Sequence, residues 1–175
     1  MTPADPGGGA VPFDEFLLLV GKLNYSWTNT ESLLIHLIAR LVGCDDQTAT
    51  VMFLTLNSTR ARLDLVERLA KLERVPAERR ETILALTSRF AKLSGLRNRY
   101  SHCIYSFDQN SGAMRTILMR IADRKHSIKV GQTSDIDRSA AREVQDAIDA
   151  IAELNIDIWR AVGEAFPDQP AKGAG

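Results

Sequence analysis

The sequence predicts a mainly α fold: a helical bundle of four to five helices with a small antiparallel β-meander inserted before the last helix. Three observations predict it. Apolar residues recur at spacings of three, four and seven over most of the chain, the pattern of helices with one buried face. After residue 102 that rhythm gives way to alternating, aromatic and β-branched residues interrupted by Asp108-Gln109-Asn110-Ser111-Gly112, as in strands joined by a turn. The helical rhythm then resumes near Asp137 and runs to Phe166.

The first helix is expected over Phe13 to Val42, where Phe13, Phe16, Leu17, Val20, Leu23, Trp27, Leu34, Ile38 and Leu41 trace one apolar face. Asn24 to Thr30 is poor in strong helix formers, so packing must hold that part. Gly43-Cys44-Asp45-Asp46 closes the helix, and Gln47 to Leu56 reads as a short second one. Asn57-Ser58-Thr59 offers caps for a helix from Ser58 to Arg74, with Leu63, Val66, Leu69, Ala70 and Leu72 on its inner side. Pro76 starts the next, which carries Ile83, Leu86, Thr87, Phe90 and Leu93 inward and ends near residue 102. The meander occupies about 103–131: Cys103 to Phe107, Met114 to Ile121, and Ser127 to Val130 after the turn Asp123-Arg124-Lys125. Ser134-Asp135 opens the last helix, Asp137 to Phe166, with Val144, Ala147, Ile151, Leu154, Ile158 and Val162 as its stripe.

With 175 residues the chain is expected to form one domain, over 13–166, large enough to bury its own core. Residues 1–12, rich in Pro and Gly and free of basic residues, read as a disordered leader and not as a signal peptide, and 167–175 as a disordered tail. No apolar run approaches the roughly 18 residues that a membrane span needs. Cys44 and Cys103 lie far apart with no clustered His or Cys, which argues against zinc and for reduced thiols in the cytoplasm. No metal and no cofactor is expected.

Chemistry concentrates where the long helical pattern stops: Leu96-Arg97-Asn98-Arg99-Tyr100-Ser101-His102-Cys103-Ile104-Tyr105. Arg97 supplies a planar charged fork suited to phosphate, and His102 the side-chain type that exchanges protons near neutrality. A helix end lets such groups face a cleft. Arg120 and His126 have similar spacing, as expected by chance with sixteen arginines and three histidines, but they fall in the strand-like region without an amide between them. Net charge is zero, yet Asn57 to His102 holds eleven Lys/Arg against five Asp/Glu, while both flanks are acidic. A basic middle third suits a face that meets phosphate, or alternatively salt bridges to the acidic flanks. His36, between Ile35 and Leu37, reads as structural.

Through Arg97, Asn98 and His102 the segment resembles the HEPN superfamily, small helical proteins marked by Arg, a polar residue, and His a few residues beyond the Arg. Cys103 stands where many relatives have Gly. The resemblance implies a metal-independent ribonuclease, a toxin or defence effector, with its active site in a cleft at a two-fold dimer interface. Arg97, His102 and Asn98 are then the catalytic residues, RNA the substrate, a homodimer the working form, and a cognate antitoxin a possible companion. Arg99, Tyr100 and Tyr105 are candidates for substrate contact, the tyrosines by base stacking or, structurally, by packing the helix end on the sheet. Glu31 is a candidate for orienting Arg97 or His102, or for a structural ion pair. In an unbroken helix Arg97 and His102 point about 140° apart, so either the helix bends or ends between them or two subunits combine their groups.

No phosphate-cradling glycine loop, nucleophile elbow, His-Glu-x-x-His or dinucleotide fingerprint occurs. Two rivals remain: a non-catalytic dimeric module of the same type that binds RNA, a nucleotide or a protein partner, and a helical interaction protein whose Arg-Asn-x-x-x-His is accidental.

Overall fold

In the computed structural model, which describes the backbone of residues 11–107, 114–124 and 127–165 and their side chains except 119–130 and 164–165, the stripe that begins at Phe13 folds as two helices instead of one. These are α1 (Phe13–Ser32) and α2 (Leu34–Val42), parted by Leu33. The Ser32 hydroxyl donates to the Asn29 carbonyl at 2.7 Å, and the Leu33 N–H bonds Thr30 O at 3.1 Å, three residues back. A local side-chain bond thus competes with the helical ladder and tightens one turn. Leu33 keeps right-handed dihedrals (φ −66°, ψ −18°), so the stripe is not interrupted, and Leu23, Trp27, Leu34, Ile38 and Leu41 are all buried. Phe13 and Leu17, expected on that face, are partly exposed.

Gly43 ends α2 in the left-handed region (φ 79°), where its N–H and that of Cys44 both reach Ala39 O, at 2.8 and 3.0 Å. Asp45 caps α3 (Asp46–Thr55) by accepting from the Thr48 N–H and hydroxyl, each at 2.8 Å. Ser58 caps α4 (Thr59–Ala70) through the Ala61 N–H at 3.2 Å. That helix stops short of the expected Arg74. Leu72 and Val75 bond three residues back, and the Arg74 guanidinium donates instead to Leu41 O at 2.8 Å, covering a bare carbonyl at the end of α2. The Pro76 carbonyl accepts the Arg80 N–H at 3.0 Å and opens α5 (Ala77–Ser101).

The sheet is a three-stranded antiparallel meander in the order β1 (Cys103–Phe107), β2 (Met114–Arg124), β3 (Ser127–Asp135). Cys103 pairs with Leu118 and Phe107 with Met114 across β1 and β2. Between β2 and β3 the pairing steps from Leu118↔Gln132 to Ile121↔Val130, one residue more on β2 than on β3. Gly131 lies opposite this bulge at φ 72°. β3 runs on to Asp135, beyond the expected Val130, because Ser134 and Asp135 pair with Thr116 and Arg115 instead of opening a helix. The cap of α6 (Arg138–Ala165) is Asp137, which accepts the Ala140 N–H at 2.9 Å. The fold is therefore mainly helical with a small antiparallel sheet before the last helix. The expected leader over residues 1–10, the turn at 108–112, Lys125 with His126, and the chain from Phe166 lie outside the described residues.

The chain divides into two compact units, Met1–Ser26 with Gly95–Asp149, and Trp27–Ser94 with Ala150–Gly175. The first holds the sheet, the motif and a core that includes Phe16, Val20, Tyr100, Met114 and Val144. In the second, Trp27 meets Phe90 edge to face at 4.7 Å, within a core of buried Ile, Leu and Val side chains from the helices. Among the described residues no helix is long and apolar enough to cross a membrane.

Candidate functional site

The last turn of α5 carries the motif. The His102 N–H still closes on Asn98 O at 3.1 Å, although β1 begins at the next residue. The Tyr100 carbonyl, which the helix leaves without an amide partner, takes the Tyr105 hydroxyl at 2.8 Å and the Cys103 thiol at 3.4 Å. Chain reversal into the sheet is thus stapled by side chains of β1 itself. The Ser101 hydroxyl adds a bond to Asn24 Oδ1 at 2.7 Å, and Asn24 Nδ2 in turn donates to Val20 O of α1 at 3.0 Å. The poor helix formers at this point of α1 therefore have a use.

Within this frame the three motif side chains differ in surroundings. Arg97 is half-buried and its Nη1 donates to Asn98 Oδ1 at 3.0 Å. Asn98 and His102 are exposed and lie four residues apart, on the same side of consecutive helical positions. α5 ends at Ser101, between Arg97 and His102, so His102 is the first residue past the helix although its N–H still bonds Asn98 O. Of the two arrangements the spacing leaves open, the helix does end between the two residues, and both arrangements remain compatible with the geometry. The Arg97–Asn98 contact joins the charged fork to the exposed face from the neighbouring position.

The residues around the motif are structural. Arg99 forms a forked contact with the Glu143 carboxylate of α6 at 2.9 and 3.2 Å, and the Tyr100 hydroxyl donates to Glu143 Oε2 at 2.9 Å. Tyr100 is 4% exposed and meets the Phe16 ring edge-on at 5.6 Å, which closes its faces to a nucleobase. Burial, then its bond to the Glu143 carboxylate, pushes the Tyr100 hydroxyl up to about 12. Tyr105, half-buried against the rings of Phe13 and Phe16, is pushed higher still, first by burial and then by the adjacent Cys103 side chain. Both hydroxyls stay protonated at neutral pH. Packing of the helix end on the sheet, and not base stacking, accounts for both tyrosines.

Glu31 has a different arginine from the one expected. In its own unit its carboxylate accepts the Thr59 hydroxyl at 2.6 Å and pairs with Arg62 at 3.1 Å, while the Arg62 guanidinium lies 4.0 Å over the Phe53 ring. This is a buried structural ion pair, supplied with the extra hydrogen bond such a pair needs. His36 is structural too, its ring 5.1 Å from that of Trp159.

Four of the eleven basic side chains of the middle third are paired with carboxylates. Arg60 binds Asp64, Arg62 binds Glu31, Arg89 binds Asp157 and Arg99 binds Glu143. Three of those four carboxylates come from the acidic flanks, so the surplus of six positive charges in this third is offset in part. Among the described residues no group of three His, Cys, Asp or Glu side chains is placed to hold a metal ion. The side chain of Arg120, like His126, lies outside the described residues. Glu143 is the residue that sequence reasoning missed, since nothing in its spacing along α6 marks it as the partner of residues more than forty positions earlier. No family model matches the chain, and neither a curated protein nor a solved structure matches it.

Proposed function

We propose that the chain is a metal-independent endoribonuclease of the HEPN type that works as a homodimer, with Arg97, Asn98 and His102 as its catalytic groups. One observation carries this reading: the end of α5, where the His102 N–H still bonds Asn98 O, holds His102 and Asn98 exposed, four residues apart, with Arg97 Nη1 on the Asn98 amide oxygen. In this reading His102 of one copy takes the proton of a ribose 2′-hydroxyl. The oxygen attacks the adjacent phosphorus, the bond to the 5′-oxygen breaks, and the His102 of a second copy protonates that leaving oxygen. Arg97 neutralises the charge that builds on the phosphoryl oxygens, and the Asn98 Nδ2 donates to one of them. The products are a 2′,3′-cyclic phosphate and a 5′-hydroxyl.

Two copies are required because one motif offers a single histidine, whereas the reaction needs both a base and an acid. In this arrangement a phosphate gripped by one copy's arginine meets the other copy's histidine. A role as a cytoplasmic toxin or defence effector, held in check by a cognate antitoxin, belongs to this reading. The partial pairing of the basic third favours a second one. A non-catalytic dimeric module that binds RNA, a nucleotide or a protein has no need of a broad basic face, and the pairing of Arg60, Arg62, Arg89 and Arg99 with carboxylates fits it.

The test is cleavage of total RNA by the purified protein in EDTA, with product ends identified, beside Arg97→Ala and His102→Ala. The nuclease reading expects cyclic-phosphate ends, no effect of chelation, and loss of about 100-fold or more in each variant. Wild type and variants that are equally inert while remaining folded refute it, and retained binding of RNA under those conditions supports the second reading.

A further inference from the structure

α6 is apolar on two sides. Its inward stripe, Ile151, Leu154, Ile158 and Val162, is buried. A second stripe, Ala152, Ile156, Trp159 and Gly163, repeats at spacings of four, three and four and is exposed along its whole length, with Ile156 at 59% and Trp159 at 49%. No charged residue interrupts it. That spacing is the seam of a two-helix contact, in which positions separated alternately by three and four residues meet a facing helix. Trp159 is also held from one side by the His36 ring at 5.1 Å, so its side chain is positioned before any partner arrives.

We propose that this outer stripe of α6 docks the same stripe of a second copy, antiparallel about a two-fold axis. The argument for a second copy is that the stripe matches itself in size and that its flanking charges, Glu153 and Arg160, complement each other in the antiparallel orientation and not in the parallel one. In an antiparallel pair Ile156 lies against the second copy's Trp159 and Ala152 against its Gly163, so large meets large at the centre and small meets small at the ends. The residues following the seam positions, Glu153 and Arg160, are exposed and one heptad apart on the same flank. Antiparallel helices bring like flanks together, so Glu153 of each copy faces Arg160 of the other, twice over. A parallel pair would set Glu153 beside uncharged Ile148 or Asn155 of its neighbour. Arg160 uses Nη1 on Asp157 of its own helix at 2.8 Å, and its remaining donors serve the second copy.

This contact is separate from the nuclease reading, because the stripe contains none of the motif and follows Glu143 along α6. It adds one doubling of the chain to whatever pairing the motif makes. The seam spans only two heptads, and its association is accordingly weak and concentration-dependent.

Sedimentation velocity over a concentration series tests it. Trp159→Glu is expected to halve the mass of the largest species. Glu153→Arg and Arg160→Glu each weaken association about tenfold, and the double reversal Glu153→Arg/Arg160→Glu restores most of it. Both flank positions are exposed, so the reversals leave folding intact and keep the test valid if Trp159→Glu misfolds. A mass unchanged in folded Trp159→Glu, or a double reversal that associates no better than either single variant, overturns the proposal. So does a wild type that shows no doubling at any concentration, or a partner other than a second copy seated on the stripe.

Discussion

Replacing Glu143 with alanine takes one acceptor from two donors, and their surroundings set what each loss costs. The Arg99–Glu143 pair is about half exposed on both sides and contributes about 0.5 kcal/mol, as surface pairs do. The Tyr100 hydroxyl is buried, and left without an acceptor it costs about 1.5 kcal/mol. Glu143→Ala is therefore expected to destabilise the protein by about 2 kcal/mol. Glu143→Gln keeps an amide oxygen for Tyr100 and is expected to cost about 0.5–1 kcal/mol. Tyr100→Phe removes the donor itself and costs about 1 kcal/mol. In the double variant Tyr100→Phe/Glu143→Ala no hydroxyl remains to be orphaned, and the sum falls to about 1.5 kcal/mol instead of 3. Urea unfolding of the four variants, followed by far-ultraviolet circular dichroism, gives these differences. Additive losses, or equal losses in Glu143→Gln and Glu143→Ala, would show that Glu143 does not secure the end of α5 through Tyr100.

Two further outcomes follow from local geometry. At Gly43 an added Cβ meets no atom within 4 Å, so Gly43→Ala is expected to lose only the backbone term for φ 79°, about 1–2 kcal/mol, and Gly43→Asn less, as read by the urea midpoint. Crowding would make Asn the worse of the two. Tyr100 binds its proton more tightly folded, up to about 12, than unfolded, near 10. Its contribution is therefore fully present below about pH 10 and is lost as pH rises towards 12. The thermal midpoint should fall across that window, less steeply in Tyr100→Phe; an unchanged slope in the variant would assign the loss elsewhere.

The helices and the meander were legible because each depends on a period and a cap within a few residues. Phe16, Leu23 and Trp27 announce α1 by spacing, Gly43 ends α2 as glycine does, and Pro76 opens α5. What escaped depends on partners distant in sequence or on competition too local for periodicity. The joint at Leu33 turns on one hydroxyl, Ser32, choosing the Asn29 carbonyl. The length of β3 is set by the strand opposite, since Ser134 and Asp135 look like the start of a helix until Thr116 and Arg115 pair with them. At the candidate site, the position of Arg97, Asn98 and His102 at a helix end and the packing of Tyr100 and Tyr105 there could be foreseen, but the Glu143 partner of Arg99 and Tyr100 and the arginine that Glu31 selects could not. Carboxylates and arginines carry no address in the sequence; Glu31 and Glu143 pair with whichever guanidinium the fold delivers.

Gly131 couples two independent vetoes at one position. Its φ of 72° disfavours any L side chain, and a Cβ placed there would sit 3.3 Å from Ile117 Cγ2 on the neighbouring strand. In a library of every single substitution, this site would score as intolerant as a catalytic one while taking part in no chemistry. Replacing Ile117 with Ala removes Cγ2, and with it the second veto, and leaves the first, whereas Val keeps that methyl. A pairwise library would therefore show partial rescue of Gly131→Ala by Ile117→Ala and none by Ile117→Val. That pattern distinguishes an architectural glycine from a functional residue without an assay of function.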